Sequence, residues 1–81
     1  MSRPLKPVAT LESVDTVWVL LSPQPQAEPA ICILRSTGDR FETDVTGLDG
    51  PVRWGYHSRE AALAGARRFQ EQLQSRGWRP Q

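Results

Sequence analysis

Short runs of β-branched and aromatic residues, broken by proline and glycine, fill the middle of this chain, and a stripe at helical spacing fills its end. Asp15 to Ser22 holds Thr16, Val17, Trp18, Val19, Leu20 and Leu21, a composition that favours a strand, and Pro23, Pro25 and Pro29 stop it in a polar loop. A second strand is predicted from Ala30 to Ser36. Thr37-Gly38-Asp39-Arg40 then offers a two-residue hairpin, because Gly38 takes without steric cost the positive φ that a type II′ turn needs at its first central position. A third strand runs from Arg40 to Thr46, Gly47-Leu48-Asp49-Gly50 turns the chain, and a fourth covers about 51–56. Ser58 is suited to cap a helix, since its hydroxyl accepts from an orphan N–H of the first turn, and Glu60 complements the helix dipole. Ala62, Ala66, Phe69 and Leu73 share one face, Arg67 and Glu71 are placed to pair outside, and Gly77 supplies the stop, with Trp78 folding back over the end.

The expected fold class is α+β: an antiparallel meander of three to four strands (about 15–22, 30–36, 40–46 and 51–56) packed on one C-terminal helix (about 58–76). Residues 1–14, with Pro4 and Pro7 among scattered Leu5, Val8 and Leu11, read as an N-terminal arm, and 15–81 as the single domain.

The hairpin fixes a register. Ser36 faces Phe41, Arg35 faces Glu42, Leu34 faces Thr43 and Cys32 faces Val45. A four-residue loop at 47–50 then pairs Val45 with Val52, Thr43 with Trp54, Phe41 with Tyr56 and Asp44 with Arg53. Cys32, Leu34, Phe41, Val45, Val52, Trp54 and Tyr56 form an inner face for the helix stripe. A simple hairpin across the proline loop adds Trp18 and Leu20 beside Leu34 and Cys32. The same alternation leaves Val17, Val19, Leu21, Ile31 and Ile33 on the outer face, an apolar patch with a charged rim of Arg35, Glu42, Asp44 and Arg53. Two readings compete for that patch: cover by Leu5, Val8 and Leu11 of the arm, or an interface, of which a twofold homodimer is the commonest form.

With 81 residues the chain makes one domain whose core is thin, since a domain of this size buries only about 60% of its unfolded surface. No apolar run reaches the roughly 20 residues of a membrane helix, and no signal-peptide core is visible. Cys32, alone, makes no internal disulfide. These features predict a cytoplasmic protein. The net charge of +1 hides an asymmetry: residues 1–50 carry four basic and seven acidic groups, and 51–81 carry six basic and two acidic, so the C-terminal third is the basic part.

Candidate chemistry is sparse. Cys32 and His57 are the one nucleophile and base pair that could be invoked, and Cys32 falls mid-strand on the inner face, where a core role explains it. One His and one Cys are too few for a zinc site, and no phosphate loop or dinucleotide fingerprint occurs. No catalytic residue, metal, cofactor or small-molecule substrate is assigned, and the chain is read as a non-enzymatic interaction module that self-associates or binds another protein.

The stretch Val52-Arg53-Trp54-Gly55-Tyr56-His57-Ser58-Arg59-Glu60-Ala61-Ala62 resembles the last strand and helix start of AP2-type and phage-integrase arm-binding domains. Small bacterial domains with a β-meander and a terminal helix resemble the whole arrangement. The first resemblance implies DNA binding by Arg and Trp on the exposed sheet face, where Arg35 and Arg53 are the candidates. The chain departs from that pattern, because the register turns Trp54 inward and sets Arg53 against Asp44 and Arg35 against Glu42. Separately, Arg59, Arg67, Arg68, Arg76 and Arg79 offer a second basic surface on and after the helix for phosphate or an acidic partner, with Arg67 and Glu71 placed to pair as part of a solvated exterior.

Overall fold

The computed structural model describes residues 12–81. Its elements follow in the order β1 (Glu12–Leu21), β2 (Ala30–Thr37), β3 (Arg40–Thr46), β4 (Val52–Tyr56), α1 (Arg59–Gln74) and β5 (Arg79–Pro80). The strands form one antiparallel sheet in the order β4-β3-β2-β1-β5, with α1 against one face, so the protein is α+β. Strand β1 takes in Glu12, Ser13 and Val14, which the sequence pattern assigned to the arm; Leu5, Val8 and Leu11 lie outside the described residues.

The two hairpins have the register that the alternation predicts. Thr37 pairs with Arg40 and Arg35 with Glu42, and Asp44 pairs with Arg53 and Phe41 with Tyr56. Gly38 has φ +61° and among the described residues only glycines have positive φ, so Asp39 is on the negative side and the turn is type II′. Gly47, at φ +92°, is the second obligatory glycine: a Cβ there would lie 2.0 Å from the Pro29 carbonyl oxygen.

β1 is where the structure departs from the expectation. Trp18 lies beside Cys32 and Leu20 beside Ala30, two residues along from the predicted neighbours, and an even slip keeps both side chains on the inner face. A β-bulge between Thr16 and Trp18 then reverses the alternation of what precedes it. Val14 thereby joins the outer face opposite Arg35, and Asp15 turns inward, where its carboxylate sits 3.6 Å from Arg59 at the start of α1.

Ser58 caps α1 as expected, accepting from the Ala61 N–H at 3.1 Å. The helix ends at Gln74. The Trp78 N–H then reaches back to the Leu73 carbonyl and that of Gly77 to Gln74, with Gly77 at φ +102°, a Schellman closure. Arg67 and Glu71 are both exposed, and among the described residues no ion pair joins them. The closure swings Trp78 against the core and carries the chain onto the edge of β1 as the short β5, which the sequence pattern did not predict.

The core is Trp18, Leu20, Ala30, Cys32, Leu34 and Val45 from the sheet and Ala62, Ala66 and Leu73 from the helix, all buried, with Thr43 among them. Two alanines at the contact let α1 approach closely enough for the Trp18 indole N–H to donate to the Ala66 carbonyl at 2.9 Å, which satisfies a polar group that would be costly to bury unpaired. Among the described residues no helix is long and apolar enough to cross a membrane.

Candidate functional site

The face turned away from α1 divides into an apolar half and a charged half. On the apolar half Val19 stands directly opposite Ile31, with Ile33 two residues along β2 and Leu21 two along β1. These four keep the places that the alternation gave them, and no described element covers that side of the sheet. Val17 differs: as the extra residue of the bulge it packs against the buried cluster. The bulge adds a residue that the alternation could not assign to this face, Val14, which is 52% exposed.

The charged half is centred on Asp44. Its carboxylate accepts from Arg35 at 2.8 Å on one side and from Arg53 at 2.9 Å on the other, and it is only 8% exposed beneath them. Glu42 lies farther out, 3.5 Å from Arg35 and 3.8 Å from Arg53. Arg35 therefore bonds most closely to the acid diagonal to it, not to the one directly opposite. Two arginines and two carboxylates neutralise each other, so this half is polar without being positive.

That network bears on the candidate DNA-contacting arginines. Arg35 and Arg53 are held by Asp44 on the outer face, Arg59 lies near Asp15 at the helix start, and Arg67 and Arg68 are exposed on α1, in the opposite layer. The fold distributes the five over different surfaces. Trp54 is on the inner side, paired with Thr43.

Cys32 is fully buried, and burial, with the Asp44 charge adding to it, pushes its thiol up to about 11. His57 follows the end of β4 and is exposed. Tyr56 is level with Phe41 and Ser36, four residues from Cys32 on β2, so Cys32 and His57 are separated by roughly 13 Å along the strands alone and do not form a pair. Among the described residues no three His, Cys, Asp or Glu side chains are grouped as metal ligands.

A second feature escaped the alternation. The helix covers the inner side of β4 only in part, leaving Trp54 44% exposed with its ring edge-on to Phe69 at 5.4 Å between centroids. Tyr56 lies across α1 at Gly65, where a Cβ would come within 2.2 Å of the phenolic oxygen. Between these rings and Arg68 and Gln72 runs a groove of about 330 Å³. Its signal in the sequence was a glycine inside an alanine-rich helix, which marks a close approach. Comparison of the chain with protein-family models, with curated proteins and with solved structures gives no match.

Proposed function

We propose that this domain is a non-enzymatic interaction module that self-associates through the outer face of β1 and β2, with Val19, Leu21, Ile31 and Ile33 at the centre of the contact. The observation that carries the reading is the adjacency of these four apolar side chains on a sheet face that no described element covers. Strand positions on a face that no other layer covers are ordinarily polar, and β3 and β4 follow that rule on the same face with Glu42, Asp44, Thr46 and Arg53.

A second copy is the partner that suits the surroundings. Arg35, Arg53, Glu42 and Asp44 sum to zero charge, so two such faces related by a twofold axis meet without net repulsion and place an apolar centre beside a polar rim. Face-to-face contact of two sheets at about 10 Å separation is a standard way to bury such a patch.

The test is the solution mass over a concentration series for the native chain and for Ile31→Asp. Ile31 faces Val19 and Thr46, whereas Ile33 faces Asp44, so a carboxylate at 31 tests the patch without crowding the Asp44 network. The native chain is expected to dimerise and the variant to remain monomeric with an unchanged circular dichroism spectrum. Association that survives in Ile31→Asp would remove the reading. Nucleic-acid binding has less support, because Arg35 and Arg53 are neutralised; it predicts salt-sensitive binding of mixed duplex DNA, and a flat titration at low salt would eliminate it.

A further inference from the structure

The two edges of the sheet are finished differently. On one, β5 lies against the end of β1, with the Gln81 N–H donating to the Val19 carbonyl at 3.3 Å. Pro80 occupies the position between the bonded ones, so the outward side of β5 has no donor there and that edge is blunted. On the other, β4 is the outermost strand of the described sheet and contains no proline.

Which backbone groups of β4 are unpaired follows from the hairpin. A two-residue turn closes on a hydrogen-bonded pair, here Thr37 and Arg40, so alternate residues Glu42 and Asp44 direct their N–H and C=O toward β2. Phe41, Thr43 and Val45 direct theirs toward β4 and are met by Tyr56, Trp54 and Val52. Arg53 and Gly55 therefore turn their N–H and C=O groups to the open edge. The same alternation carried from β2 to β1 places the Val19 carbonyl on the far edge of β1, which is where Gln81 meets it. Nothing lies within 4 Å of a Cβ built at Gly55, so the outer sheet face above that rung is uncrowded.

Beside this edge, on the inner side, lies the groove of Trp54, Tyr56, Gly65, Arg68, Phe69 and Gln72. Its helix wall is the i, i+3, i+4, i+7 series from Gly65 to Gln72, parallel to the edge of a strand. The groove as a whole is lined by three aromatic rings and one cation, and no carboxylate lies among the lining residues.

We propose that the free edge of β4 and this groove together bind an extended segment of another protein as an added strand. The segment carries an apolar side chain opposite Trp54, seated against Trp54 and Phe69, and a carboxylate two residues along that reaches Arg68. Backbone bonds to Arg53 and Gly55 supply affinity, and the alternate side chains that enter the groove supply selectivity. This site lies on the helix side of the sheet and does not depend on self-association through the other face.

The experiment is a titration of the isotope-labelled full chain, followed by amide nuclear magnetic resonance, with the peptide acetyl-Thr-Glu-Thr-Leu-Thr-amide, which as an antiparallel strand places its leucine opposite Trp54 and its glutamate opposite Tyr56 on the Arg68 side of the groove. The expected result is saturable shifts of the Arg53 and Gly55 amides and the Trp54 indole. N-methylation of the two threonines flanking the leucine, whose backbones face Arg53 and Gly55, is expected to abolish them. Arg68→Glu, at an exposed helix position, is expected to weaken binding about tenfold, the effect of one lost charge-assisted hydrogen bond. Equal binding by the N-methylated peptide or by Arg68→Glu, or no shift at Arg53 and Gly55 up to the solubility limit of the peptide, overturns the proposal.

Discussion

The two faces of this sheet share every strand and differ in what lies over them. On the inner face Trp18, Leu20, Ala30, Cys32, Leu34 and Val45 meet a helix whose alanines allow close approach, and all are buried. On the outer face the charged half buries Asp44 under its own arginines, whereas no described element covers the apolar half. The inner face thus accounts for why the domain folds, and it leaves the aliphatic side chains of β1 and β2 on the other side without a structural explanation. Stability and association are therefore expected to separate by face.

Trp18→Ala should have the largest effect on stability. It removes a buried ring together with the indole bond to Ala66, a loss of about 3–5 kcal/mol, which is a large share of the total stability of a domain this small. A urea transition is expected to show it as unfolded or nearly so at room temperature. Asp44→Ala comes next: it leaves Arg35 and Arg53 with only the more distant Glu42 between them, at a cost of about 1–3 kcal/mol in the same measurement. Ile31→Asp should change stability least of the three, by about 1 kcal/mol or less in the monomer, while abolishing association.

Cys32 provides a test of the inner face that needs no mutation. Its thiol is raised from its ordinary 9.0 to about 11, so the folded protein holds the proton more tightly than the unfolded chain. The contribution of Cys32 to stability is then complete below pH 9 and is lost as the pH rises toward 11. At pH 8 a thiol-directed disulfide reagent is expected to label the native chain far more slowly than the urea-unfolded one. Equal rates would mean that the inner face opens readily.

Most of the sheet was legible because local chemistry fixed it. Gly38 dictated the turn type, the turn dictated the β2–β3 register, and the pairing of Asp44 with Arg53 agreed with it on the next strand. β1 was less legible, since the eight residues from Ser22 to Pro29 that join it to β2 leave its register open, and a bulge is one extra residue that alternation alone does not reveal. Its consequences are local: Val14 outward, Asp15 inward, and Val17 against the core. β5 was hidden for a different reason. A two-residue strand ending in proline has no pattern of its own and exists because Gly77 reverses the chain onto β1. The outer patch was visible as alternation, and the groove beside Trp54 was not, because it depends on how far α1 covers β4.

The most direct measurement is sedimentation of the native chain and of Ile31→Asp from low to high micromolar concentration. The native mass is expected to rise from monomer toward dimer while Ile31→Asp stays at the monomer mass with intact secondary structure. A native chain that is monomeric throughout, or a variant that associates as the native chain does, would contradict the assignment of the outer face as the contact.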